Sequence, residues 1–253
     1  MCIIIVANKN KKIPNEHIEL ANELNCDGFG MSASVNNKLF VYKSISMNSD
    51  DITKLYNSIR QVATGDIVLH FRLATHGDIS DKLCHPFYIN KDLVMFHNGV
   101  IRDSVSGYNK HSKNESDTKA FVNNVLKNFK KGFQNNETIM NMISTSVGEY
   151  NKLCFLDSTG KTTYTSSSKW VEYNGILYSN PGIFYEGENF RYINPATMEY
   201  ETKDYYDNYY DSEYHDEYIE YKDNIDYYKD YEELDARFKI NKRKDKNVWI
   251  DTR

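Results

Sequence analysis

The chain has 253 residues and a formal net charge of −5, enough for one well-buried domain of about 200 residues with an appendage. The charge is uneven: residues 201–253 hold 16 acidic against 10 basic side chains, a net −6, which leaves residues 1–200 at +1. A body so near neutral lacks the basic face of a nucleic-acid binder, and the sequence has neither an apolar run of membrane-spanning length nor a signal-peptide pattern, so no nucleic acid and no membrane are expected as partners and a cytoplasmic location is.

The opening "MCIIIVANKN" is an apolar, β-branched run of strand length. In "IPNEHIELANELN" the pattern Ile18, Leu20, Ala21, Leu24 suits a short helix starting near Asn15. "DGFGMSASVNNKLFVYKSI" reads as two strands joined at the Asn36-Asn37 turn, and a second helix is expected over about residues 50–59. "DIVLHFRLAT" and "LVMFHNGVI" are further strands. "SDTKAFVNNVLKNF" has a capping residue, an acidic first turn and helical apolar spacing. Strands follow near 152–156, 162–165 and 170–178. This order is not a regular strand-helix alternation, and it predicts an α+β fold of antiparallel sheets with helices packed outside.

From about residue 198 the composition shifts to Tyr, Asp and Glu, with 10 of the 21 tyrosines beyond residue 200. Tyr214, Tyr218, Tyr221, Ile225 and Tyr228 fall on one helical face. Lys239, Lys242, Arg243, Lys244 and Lys246 gather at the far end, as a helix dipole favours. The segment 198–253 is expected to be a helical acidic extension, laid against its own domain or left partly solvated rather than bound to a partner.

Three stretches carry more polar and glycine detail than a packed strand needs: "HFRLATHG" (70–77), "HNG" (97–99) and "SDT" (116–118). Singly each has a plain structural reading, as a turn, an ion-pair partner or a helix cap. Cys2 has one too, as a small buried strand residue. Together they offer more. With Met1 removed, Cys2 would supply a sulfur nucleophile and an α-amine whose ordinary pKa of about 7.7–8.0 makes it a usable base. The Asn98 side-chain amide and the Gly99 backbone N–H can face one developing oxyanion. Arg72 can clamp a carboxylate with two prongs, and Asp117 can pair an ammonium. Such a set fits a γ-acylated amino acid. His70, His76, His85 and His97 form no helical ligand pair, so no metal is expected. No phosphate loop points to a cofactor either. Cys26, Cys84 and Cys154 show no CxxC pairing and read as reduced, buried small residues.

In the order and spacing of Met1-Cys2, "DGFG" (27–30), "FRLATHG" (71–77), "HNG" and "SDT", the chain resembles the class II glutamine amidotransferases, within the N-terminal nucleophile hydrolases. It departs from their frequent pattern at Ile3, often Gly, and at Leu73, often Trp. The resemblance covers about residues 2–185, ending with "LYSNPG" (177–182). It implies a four-layer αββα sandwich over a glutaminase domain, 2–197, followed by the extension 198–253. It implies Cys2 as nucleophile, Asn98 and Gly99 as oxyanion hole, Arg72 as carboxylate ligand with Thr75 and His76 beside it, and Asp117 as ammonium ligand. The expected activity is glutamine amide hydrolysis through a γ-glutamyl thioester, with ammonia passed to a separate acceptor synthase. The alternatives are a stand-alone amidohydrolase of another γ-glutamyl compound and a non-catalytic binding protein on the same fold.

Overall fold

The computed structural model describes residues 2–74, 78–109, 114–165, 169–184 and 190–201; Thr75, His76 and the tyrosine-rich stretch 202–253 lie outside the described residues. In chain order the elements are β1 (Ile3–Asn8), α1 (Asn15–Leu24), β2 (Gly28–Val35), β3 (Lys38–Ser44), α2 (Ser49–Val62), β4 (Thr64–Arg72), β5 (Phe87–Asn90), β6 (Leu93–Asn98), α3 (Asp103–Ser106), α4 (Asp117–Asn124), α5 (Glu137–Val147), β7 (Lys152–Asp157), β8 (Thr162–Tyr164), β9 (Trp170–Tyr173), β10 (Ile176–Tyr178), β11 (Arg191–Asn194) and β12 (Glu199–Glu201).

Two antiparallel sheets form the centre. One has eight strands in the order β12-β11-β9-β10-β1-β4-β2-β3, the other four in the order β5-β6-β7-β8. The period-2 alternation of the strands sorts their side chains between layers. Val94, Phe96, Cys154 and Leu156 of the small sheet meet Ile4, Val6, Val68 and Trp170 of the large one. Their neighbours Leu93, Met95, Leu153 and Phe155 face the other way, onto Phe121, Val122, Ile143 and Val147 of α4 and α5. On the large sheet Ile3, Ile5, Leu69 and Phe71 point outward yet are buried, because α1 and α2 cover them. His17 of α1 bonds Tyr178, the partner of Ile5 across the sheet, at 2.8 Å. Tyr56 of α2 donates to Lys11 O at 3.1 Å and accepts from Ile13 N at 3.2 Å. The result is the four-layer αββα sandwich. Large buried side chains in both cores make truncations costly; Phe155→Ala would lose about 3–5 kcal/mol.

The Asn36-Asn37 turn has positive φ at both residues, as a tight type I′ hairpin requires. The same chemistry divides the single strand expected over 170–178: Asn174 and Gly175 also have positive φ, and β9 pairs antiparallel with β10 across them. Helix α5 stands where no helix was expected. Asn136 caps it, accepting from Ile139 N at 3.1 Å, and Met140, Ile143, Ser144 and Val147 bury one face. Cys26 corrects the expectation of burial: it is exposed, in the turn after α1, whereas Cys84 and Cys154 are buried. No helix among the described residues is long and apolar enough to cross a membrane.

Candidate active site

Cys2 lies just before β1, whose Ile3 pairs with Phe71 of β4. That register sets the thiol beside the end of β4. Leu73 N–H donates to Cys2 Sγ at 3.4 Å, and the thiol donates to Leu73 O, also at 3.4 Å. Both contacts are to backbone, so the Leu73 side chain does not enter them. Burial pushes the Cys2 thiol up, while the Leu73 N–H, the chain's N-terminal charge and Arg72 pull it down. The Cys2 carbonyl accepts from Asn180 Nδ2 at 2.8 Å, and Asn180 Oδ1 accepts from Gly182 N at 2.9 Å.

Arg72 closes β4 and is 4% exposed; its Nη1 donates to Asp78 O at 3.2 Å. "DGFG" braces this turn. Asp27 N donates to Arg72 O at 3.0 Å, and the Asp27 carboxylate accepts from Ala74 N at 2.8 Å. Gly30 has a packing reason: a Cβ there would stand 1.6 Å from the His85 carbonyl oxygen, so the segment before β5 can cross β2 only over a glycine.

Asn98 ends β6, and its side-chain amide meets Ser179 Oγ at 2.9 Å. The same hydroxyl accepts from Ile4 N, again at 2.9 Å. Gly99 follows with φ +138°, and a Cβ would meet Asn151 Oδ1 at 2.5 Å. Asp117 opens α4 behind its N-cap Ser116; its Oδ2 accepts from Ile101 N at 2.8 Å, which ties α4 to the turn that follows "HNG".

His97 is fixed on both sides. Asn151 Nδ2 is committed to Val147 O, so Asn151 Oδ1 faces His97 Nε2 at 2.8 Å and receives its proton. His97 Nδ1 therefore carries the lone pair and accepts from the Thr118 hydroxyl at 2.7 Å. Burial lowers the His97 pKa, and Asp117 works against that. Beside Asn98 in the ladder is Lys152, whose ammonium donates to Ser179 O and whose pKa burial lowers to about 8.

Of the residues picked out in the sequence, Cys2 and Arg72 thus meet through Leu73, Asn98 reaches the Cys2 strand through Ser179, and Asp117 holds the loop after Gly99. Ser179 and Asn180 were assigned no role from the sequence, where "LYSNPG" marks only the end of the resemblance. Their polarity directly after a buried strand was the available signal.

The sequence model of the class-II glutamine amidotransferases matches residues 20–176, and the chain belongs to that family, whose domain serves glutamine amide hydrolysis in general. The matched span includes Arg72, Asn98, Gly99 and Asp117 and stops short of Cys2 at one end and Ser179 at the other. No curated protein matches the sequence. Among solved structures, a glutamine phosphoribosylpyrophosphate amidotransferase from B. subtilis, complexed with ADP and GMP, is similar at 14% identity and TM-score 0.49, over 79% of this chain and 49% of that one. A glutamine aminotransferase class-II domain protein from Silicibacter pomeroyi is similar at 15% identity and TM-score 0.38, over 77% and 95%. The allosteric regulatory enzyme of purine biosynthesis gives 15%, 0.42, 79% and 48%. This chain therefore spans about half the length of the first and third of these.

Proposed function

We propose that the chain is a glutaminase that uses Cys2, freed by removal of Met1, to cleave the side-chain amide of glutamine and supply ammonia to a separate acceptor synthase. Arg72 pairs the substrate α-carboxylate, with Thr75 and His76 beside it, and Asp117 takes the α-ammonium. These two anchors select an amino acid and set its γ-amide over the thiol. The Cys2 α-amine takes the thiol proton as sulfur bonds to the amide carbon. The carbonyl oxygen becomes an oxyanion facing Asn98 Nδ2 and Gly99 N–H. Collapse expels the amide nitrogen, which leaves as ammonia carrying the proton from the amine. The amine next takes a proton from water, whose oxygen attacks the γ-glutamyl thioester. Glutamate departs and the thiol is restored.

The observation that supports this reading is a convergence: Cys2 Sγ accepts the N–H of the residue after Arg72, while Ile4 N and the Asn98 side-chain amide meet on one buried hydroxyl. A structural cysteine at a strand end would need neither neighbour. In the same reading residues 2–197 form the glutaminase domain and 198–253 the extension. The test is glutamate and ammonia release from glutamine, with asparagine as control. Release of both products in equal amounts from glutamine alone, absent in Cys2→Ala, is the expected result. No release by a protein whose chain begins at Cys2, or equal release by Cys2→Ala, would overturn it.

A further inference from the structure

The "SNP" that follows β10 takes no part in the chemistry above, yet it touches both halves of the site. Ser179 Oγ lies 2.9 Å from Asn98 Nδ2 and 2.9 Å from Ile4 N, both of which donate to it. Next to it, Asn180 Nδ2 holds the Cys2 carbonyl. Asn98 and Ser179 are 3% and 0% exposed. In this arrangement the hydroxyl oxygen receives two protons, while Asn98 Oδ1 is buried with no hydrogen-bond partner. A strong acceptor is left unused beside a hydroxyl that has a proton to give, and leaving a buried acceptor unpaired costs about 1–3 kcal/mol.

The two ends of an amide have nearly the same outline, and the hydrogen-bond network decides which is which. Turning the Asn98 amide by half a turn pairs the oxygen and gives the hydroxyl proton an acceptor. Ser179 then accepts from Ile4 N and donates its own proton to Asn98 Oδ1, so the oxygen is paired. Nδ2 moves to the position vacated by Oδ1, on the side away from Ser179, which is buried and holds no protein acceptor, so in the unliganded protein its two protons are the groups left unpaired. The Ile4 contact leaves the hydroxyl one lone pair and one proton, and only this orientation of the amide uses the proton.

We propose that Ser179 is a positioning residue: its hydroxyl donates to Asn98 Oδ1 and thereby turns the Asn98 amide nitrogen toward the developing oxyanion. The proposal rests on the glutaminase reading for its kinetic consequence, but the orientation itself is a property of the protein alone. Asn180 completes the arrangement by holding the Cys2 carbonyl from the adjacent residue, so one dipeptide sets both the nucleophile's backbone and the oxyanion donor.

Two measurements test it. Neutron diffraction from deuterium-exchanged crystals of the full chain should show a single deuterium between Ser179 Oγ and Asn98 Oδ1, and both amide deuteriums on the opposite side. An amide deuterium pointing at Ser179 Oγ would overturn the proposal whatever the enzyme does with glutamine. In kinetics, Ser179→Ala should lower kcat for glutamine about tenfold or more, with KM within about twofold and below the loss for Asn98→Ala, which removes a whole oxyanion donor. In an Asn98→Ala background the same change should lower kcat no further, because Ser179 acts through Asn98. A purely structural serine would give the same fold loss in both backgrounds, and that result, or an unchanged kcat in the single variant, contradicts the assignment. Absence of glutaminase activity in the wild type would count against the function while leaving the neutron result to decide the orientation.

Discussion

At the scale of single residues the roles proposed for the site are separable. Cys2→Ala removes one sulfur at a strand end and should abolish glutamine hydrolysis with an unchanged melting temperature; Cys2→Ser should be nearly as inactive. Arg72→Lys replaces a planar two-pronged donor by a point charge and should raise KM with a smaller effect on kcat. Asn98→Ala should do the reverse, lowering kcat by roughly a hundredfold to a thousandfold. Steady-state kinetics separates these, and effects confined to KM in both variants would contradict the assignment. Gly99→Ala meets two obstacles, a φ of +138° and a Cβ 2.5 Å from Asn151 Oδ1, so it should lose stability as well as rate. Arg72, Asn98, Gly99 and Asp117 were picked out by the order and spacing of their motifs together with Met1-Cys2, since singly each is ordinary at a strand or helix end. Ser179 was not, since a serine after a strand is ordinary and its importance comes from two partners distant in sequence, Ile4 and Asn98.

Between elements, the contact of β4 with β6 and the segment leading into β5 is made by imidazoles. His70 Nε2 donates to His97 O at 3.0 Å, and the His70 and His85 rings lie 4.1 Å apart. Burial lowers the pKa of His70 to about 3 and that of His85 well below the ordinary value; the nearby charges of Lys43 and Arg72 add to both shifts. His97 is lowered too. In the unfolded chain these groups bind protons near pH 6.5, so below that pH the unfolded state holds more protons than the native one. Stability is therefore full above about pH 6.5 and falls as pH falls, by up to about 1.4 kcal/mol per pH unit for each imidazole. Melting temperatures between pH 7.5 and 5 should show this slope, and His85→Phe, which keeps a ring but cannot titrate, should make it shallower. An equal slope in the variant would remove His85 from the effect. Elements were legible where their period was long, as in α2 and β4. The β9-β10 hairpin was hidden because "WVEYNGILY" keeps an apolar pattern through Asn174-Gly175, although that dipeptide is a strong turn signal. Helix α5 was overlooked because its Thr and Ser residues dilute an apolar stripe that its Asn136 cap nonetheless starts cleanly.

For the whole molecule, the antiparallel order of the sheets followed from the sequence because strands and helices come in blocks rather than in alternation. How the two sheets bring Cys2, Asn98 and Ser179 together did not, since that depends on register. Strand β12 ends at Glu201, so truncation after residue 201 keeps every strand among the described residues and every proposed site residue. It should leave glutaminase activity intact; an apolar tyrosine face docked on the domain would make the melting temperature fall on its removal, and an unchanged melting temperature would contradict that docking. The central claim is that a free N-terminal Cys2 hydrolyses glutamine, and its most direct test compares glutamate release by two forms of the same chain. One begins at Cys2, as verified by intact mass, and the other is produced with Met1 retained. The account predicts steady release of glutamate and ammonia by the first and none by the second, whose Cys2 nitrogen is locked in a peptide bond and cannot act as base. Equal rates from the two forms, or none from the first, would contradict it.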